Sequence, residues 1–163
     1  MEITLLADHP HEAKKIAQWY YSEWAHVFPN MTVNMVLEKV VKKSINRTAI
    51  PLAIVVHDNS ELVGVVELKY RENANYPQYE HWLGGVFVDP LSRGRGIGGL
   101  LISEAKSKAV SLGIQKLYLQ CETHNVALYK QHGFKALHQA NHYEILTTVM
   151  RWTAAHIIVP AKG

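Results

Sequence analysis

Val86-Phe87-Val88-Asp89-Pro90-Leu91-Ser92-Arg93-Gly94-Arg95-Gly96-Ile97-Gly98-Gly99-Leu100-Leu101 is the stretch on which the reading of this chain turns. A short apolar strand, Val86 to Val88, stops at Asp89-Pro90. A basic, glycine-rich loop follows, and an apolar-periodic helix begins at Ile97. The N-terminus of a helix carries unpaired backbone N–H groups and a partial positive charge, which suits a phosphate. Gly94, Gly96, Gly98 and Gly99 keep side chains out of a ligand's way. Arg93 and Arg95 add fixed charge in a fork that fits phosphate oxygens. The loop reads as a pyrophosphate cradle.

Two phosphate motifs compete for it. Gly94 to Gly99 satisfies G-x-G-x-x-G, and Glu122 follows at the distance of a ribose-binding acid. A dinucleotide fold, however, runs its strand almost directly into the first glycine, whereas Asp89 to Arg93 intervene here. A P-loop requires Lys-Ser/Thr after its glycines, and none follows. The same residues also read Arg93-x-x-Gly96-x-Gly98, which resembles the R/Q-x-x-G-x-G/A signature of the GNAT superfamily of N-acetyltransferases. Tyr129-Lys130-Gln131-His132-Gly133-Phe134 is similar to that family's second landmark, Tyr-x-x-x-Gly-Phe.

Composition sets the frame. At 163 residues the chain is long enough for one sizeable core. A net charge of +3 is too mild for a nucleic-acid binder, which shows a concentrated basic stripe. The one cysteine, Cys121, excludes an internal disulfide and fits a reducing compartment. No basic and apolar leader precedes Ala13, and no apolar run approaches the ~20 residues of a membrane span. The expectation is a cytoplasmic protein without nucleic-acid or membrane partners.

Periodicity supplies the elements. Ile3 to Leu6 reads as a strand, with Asp8 as the cap of a helix that buries Ala13, Ile16, Ala17, Tyr20 and Trp24. Thr32 caps a second helix with Val33, Val36, Leu37, Val40 and Val41 on one face. Leu52–Val56 and Leu62–Tyr70 form a hairpin around Asp58–Glu61, and Tyr79–Val88 is the strand that feeds the loop. A helix over Ile97–Leu112 and a strand through Leu117, Leu119 and Cys121 follow. After them come a short helix carrying Tyr129 and a strand pair at Phe134–Leu137 and Glu144–Trp152. One domain thus spans residues 1–152, and a tail spans 153–163 in which Ile157-Ile158-Val159 can pack on the body or on a second copy. The order matches the GNAT superfamily. The resemblance implies an α/β (α+β) fold with a mixed, mostly antiparallel sheet and helices on both faces.

It also implies acetyl-CoA as the acetyl donor and a small-molecule or peptide amine as the acceptor. Arg93, Gly94, Arg95, Gly96, Ile97, Gly98 and Gly99 would hold the pyrophosphate, and Val86, Phe87 and Val88 would flank the pantetheine arm. Tyr129 is the expected catalytic acid, because a phenol of pKa ~10 can protonate a thiolate whose acid has pKa ~8.5. Asn125 is a further cofactor candidate. It lies four residues before Tyr129, whereas the family spacing of seven falls on Glu122. The family draws its base from the strand before the loop, which points to Glu80, with His81 second.

Gly84-Gly85 either bend that strand or aim a backbone N–H at the thioester oxygen, an interaction worth roughly 3–4 kcal/mol. Aromatic residues from Trp19 to Phe28, with Trp82, are candidates for the wall of an acceptor pocket that Glu23, Glu72 and Glu80 would make attractive to a cation. His9-x-His11 and His138-x-x-x-His142 are spaced as metal ligands can be, but no Cys or carboxylate set completes a site, so they read as solvated and no metal is expected.

Overall fold

Buried strands form the centre of the molecule. The computed structural model describes residues 1–155, and the expected packing of Ile157–Val159 lies outside them. Strands β2 (Leu52–Asp58) and β3 (Glu61–Tyr70) are covered on both faces, as their near-continuous apolar runs require. With β1 (Glu2–Leu5), β4 (His81–Val88), β5 (Lys116–Cys121), β6 (Lys135–His142) and β7 (Ile145–Thr153) they make one sheet of order β1-β2-β3-β4-β5-β7-β6. Every neighbouring pair is antiparallel except β4 and β5. Helices α1 (Ala13–Trp24) and α2 (Val33–Lys42) cover Ala53, Val55, Val65 and Phe87 on one face. Helix α3 (Ile97–Ser111) covers Leu52, Ile54, Val66 and Leu68 on the other, and α4 (Val126–Gln131) joins it there through Val126 and Tyr129. The expected fold class is the one observed.

Local chemistry moves some boundaries. Asp8 does not cap α1, which begins only after two 3₁₀ turns, Leu6–Asp8 and Pro10–Glu12. Asp8 accepts a hydrogen bond from Arg47 instead, which holds its carboxyl below the ordinary value. Thr32 does cap α2, its Oγ1 accepting from the Met35 N–H at 3.2 Å. Strand β4 starts at His81 rather than Tyr79, because Tyr79 N–H donates to Tyr76 O at 3.0 Å in a turn. Strand β6 continues to His142, beyond the expected Leu137. Its second half lies at the sheet edge, where Gln139 and Asn141 meet solvent and apolar alternation is not required.

The seating of α3 decides where the glycine loop ends. Gly64 of β3 lies beneath it, and a Cβ there would sit 3.0 Å from Leu101 Cδ1 and 3.1 Å from Ile97 Cγ2. Gly64→Val is therefore expected to lift the first turns of α3 and cost about 1–3 kcal/mol, read as a lowered urea midpoint.

Candidate active site

The irregularity in β4 sits where Gly84-Gly85 suggested. Val65 pairs with Phe87 and Glu67 with Gly84, so Val66 faces two residues, Gly85 and Val86. Gly85 takes φ of 59°, a left-handed conformation that an L side chain resists. A Cβ at Gly85 would lie 2.6 Å from the Tyr20 hydroxyl and 3.0 Å from Glu67 Cδ, so glycine is required sterically as well. On its other edge β4 meets β5 in parallel register only at Trp82 and Tyr118. No further pairing joins the two strands toward Val86–Val88 among the described residues.

The loop beyond β4 is held by its own polar groups. Asp89 accepts from the Leu91 N–H at 3.1 Å, and Ser92 N–H donates to Asp89 O at 2.8 Å. Arg93 lies over the Phe87 ring at 5.4 Å and donates from Nε to Val88 O at 3.0 Å. Arg95 reaches across to Asp58 at 2.8 Å. Gly94 and Gly96 have φ of 81° and 79° and no neighbour within 4 Å of a built Cβ, so backbone shape rather than crowding selects glycine. The first intrahelical bond at this end of α3 is Leu100 N–H to Gly96 O, at 3.1 Å. The N–H groups of Ile97, Gly98 and Gly99 therefore point out of the helix end. The Ile97 side chain is in the core, and a Cβ at Gly99 would lie 3.3 Å from the His132 ring. These residues offer backbone donors, not side chains. Three outward N–H groups and two arginines on an open loop fit a diphosphate.

Tyr129 is half-buried on α4, edge-on to Phe134 at 6.0 Å, and its side chain packs against the core beneath α3. Burial, with a smaller contribution from Cys121, pushes its phenol up to about 12. Asn125 precedes α4 and is half-buried, but its side chain makes no capping hydrogen bond. Cys121 is core. Its Sγ lies 3.8 Å from Met150 Sδ, and burial followed by the charge of Glu122 raises its thiol to about 11.

Other expectations change. Glu80 is exposed and lies outside β4, five residues before Gly85, with its carbonyl accepting from the Arg71 N–H at 2.7 Å. The alternation that placed it on the site face therefore does not reach it. Trp82 is 1% exposed and donates to Tyr79 O, which makes it core rather than pocket wall. His138 is engaged by the Tyr79 hydroxyl at 3.0 Å, and His142 by the rings of Phe28 and Tyr143, so neither is simply solvated.

Glu67 is the residue the sequence reading missed. It is 1% exposed on β3, pairs with Lys43 at 3.0 Å and Lys69 at 3.6 Å, and leaves Oε2 without a hydrogen-bond partner. Tyr20 donates its hydroxyl to Gly85 O at 2.7 Å, next to Glu67. Burial and the charge of Glu67 hold that phenol protonated far above its ordinary range. Burial alone would lower the Lys69 ammonium, but Glu67 and Glu72 outweigh it and raise the pKa. The available signal was one charged residue inside the apolar run Leu62–Leu68. A lone buried charge needs a partner, and spacing did not say which.

Farther out, Lys69 pairs with Glu72 at 3.0 Å, and both act on the half-buried His142, whose imidazolium is disfavoured first by burial. Phe28 packs edge-on against Tyr143 at 4.7 Å and His142 at 6.1 Å. The α1–α2 link thus reaches the β6–β7 turn across this side of the molecule. Glu23 is exposed on α1 and forms no ion pair among the described residues.

The family model described as "Acetyltransferase (GNAT) family" matches residues 13–134, from the start of α1 through the Tyr129 motif. The chain belongs to that family. An uncharacterized N-acetyltransferase of Bacillus subtilis (strain 168), YhfO, is 33% identical over 85 residues, covering 50% of this chain and 57% of that protein. Among solved structures, YncA from Salmonella typhimurium, a putative acetyltransferase with its cofactor acetyl-CoA, superposes with a TM-score of 0.74 at 16% identity. That likeness covers 100% of this chain and 99% of that one. An aminoglycoside 6'-N-acetyltransferase complexed with coenzyme A gives a TM-score of 0.73 at 17% identity over the whole of both chains. At these identities the structures establish the GNAT fold.

Two outcomes follow from the buried groups. At pH 8, with the Cys121 thiol near 11, on the order of one thiol in a thousand is ionised. Native protein should therefore resist an aromatic disulfide reagent that labels it promptly in denaturant. Glu67→Gln should cost about 1.5–3 kcal/mol in urea unfolding, because Lys43 and Lys69 lose their charged acceptor.

Proposed function

We propose that this GNAT protein transfers an acetyl group from acetyl-CoA to the primary amine of a small cationic molecule by direct attack, without a covalent acetyl-enzyme. The observation that carries the reading is the course of β4. It is bulged at Gly85–Val86, parted from β5, and runs into a loop with outward N–H groups at Ile97, Gly98 and Gly99. The donor supplies an activated thioester; the protein supplies position, charge and a proton. Arg93, Gly94, Arg95, Gly96 and the α3 end would take the diphosphate. The backbone of Val86, Phe87 and Val88 would pair with the extended arm, and Asn125 stands at the start of α4 on the way out.

The bulge breaks the regular ladder of β4, which allows a backbone donor to turn toward the carbonyl oxygen of the bound thioester. Tyr20, bonded to Gly85 O, and Glu67 beneath it keep that geometry fixed. Tyr129 acts as the acid. A phenol near 12 stays protonated across the working range, so the donor form is always present, although burial makes it a weaker acid than a free phenol. Glu80 stands exposed beyond the end of β4, so this reading sends the amine's proton to solvent water rather than to that carboxylate.

A small acceptor is favoured over a peptide by the Phe28 contact with His142 and Tyr143, which joins the α1–α2 link to the β6–β7 turn. Glu72 at its edge, 31% exposed, offers negative charge to a cation. A peptide or protein amine, or CoA binding without catalysis, is the alternative that the assay separates.

Thermal melting with acetyl-CoA, CoA and NADH tests the cradle. The CoA species should raise the midpoint and NADH should not; the reverse overturns the assignment. A panel of polyamines, aminoglycosides and peptides, followed by thiol release, then tests the acceptor. Tyr129→Phe should lower kcat by about 10²–10⁴-fold with acetyl-CoA affinity kept. In the parent enzyme, kcat should show no alkaline loss from this residue below pH 10, since its folded pKa lies near 12. Full turnover by Tyr129→Phe removes its role.

A further inference from the structure

Away from the β4 bulge, the turns before α1 gather a second set of chemically active side chains. His9 opens the 3₁₀ turn Pro10–Glu12, so Glu12 lies three residues on, where a 3₁₀ helix stacks side chains on one side. His57 comes from the end of β2, where the register with β3 slips between Val56 and His57. One donor atom each from His9, Glu12 and His57 lies within 4.8 Å of the others. His57 Nε2 stands 2.7 and 2.9 Å from the two Glu12 oxygens, and the His9 and His57 rings are 4.5 Å apart, tilted by 48°. His11, 75% exposed, approaches Glu12 at 3.8 Å on the solvent side.

We infer that His9, Glu12 and His57 form a binding site for one divalent transition-metal cation of the zinc type. Two imidazoles and a carboxylate are a donor set that zinc accepts with a fourth position left open. Ligands about 2.0–2.2 Å from such an ion lie roughly 3.4 Å apart, so the widest separation closes by little more than 1 Å while His57 and Glu12, at 2.7 Å, open by less than that. His9 stands between two short turns, where that adjustment is local. A simple ion pair accounts for less of the arrangement. It leaves His9, whose ring lies 4.5 Å from that of His57, without a role. The ion would tie the start of α1 to β2. The residue after His57 is Asp58, which holds Arg95 of the glycine loop at 2.8 Å.

The test uses the full chain, untagged and stripped with EDTA, titrated with zinc chloride by calorimetry and by melting. One zinc per chain is expected, with a midpoint rise of roughly 5–10 °C at a hundredfold excess over Kd. His9→Ala, a partly exposed position, and Glu12→Gln should each weaken binding at least tenfold, while His26→Ala, an exposed histidine elsewhere, should leave it unchanged. Cobalt(II) should give the visible absorption of a four-coordinate N,O site in the parent chain and lose it in His9→Ala. No stoichiometric zinc, or equal binding by parent, His9→Ala and Glu12→Gln, overturns the proposal and leaves a buried His57–Glu12 pair. His9→Ala that melts with the parent in EDTA yet fails to respond to zinc rules out misfolding as the cause.

Discussion

Strand β4 has to satisfy two incompatible demands, and the architecture follows from the compromise. Toward β3 it must pair, because that ladder holds the sheet together. Toward β5 it must stay open beyond Trp82 if a ligand is to lie there. An unpaired, half-buried strand edge is costly unless something else fixes it. Here α3 clamps one face through Ile97 and Leu101, and α1 clamps the other through Trp19 stacked on Phe87 at 5.1 Å. The bulge at Gly85 is secured from below by Tyr20 and Glu67. Remove these supports and nothing obliges the two strands to remain parted.

The charges beneath the bulge form a graded series. Glu67 is almost wholly buried, Lys43 and Lys69 are partly so, and Glu72 reaches solvent. Each buried charge is thus compensated by one slightly nearer to water, and the last is compensated by water itself. This arrangement spreads the desolvation cost of placing a carboxylate under a strand that must keep one shape.

Legibility in the sequence followed distance along the chain. The glycine loop, the start of α3, the Tyr129 motif and the Thr32 cap are all set by residues within a few positions of one another, and each was readable. Gly84-Gly85 was readable as an irregularity, although only the structure shows which glycine adopts positive φ. Glu67 and His57 acquire their meaning from Tyr20, Lys43 and Glu12, which no spacing rule brings together. The placement of Glu80 departs from the expected strand for a different reason. A regular alternation was carried backward past the point where Tyr79 turns the chain, and beyond a turn the period of two no longer applies.

The pair between Arg95 and Asp58 has a bearing on how an anion is greeted. An arginine already neutralised by a neighbour cannot lend its full charge at long range, and Arg93 is folded onto Phe87 and the Val88 carbonyl. An arriving diphosphate must exchange one set of partners for another, charge for charge. The loop is then selective by shape more than by attraction. Its occupancy should depend on ionic strength less steeply than two bare guanidinium groups would suggest, and simple polyanions of the wrong outline should compete poorly.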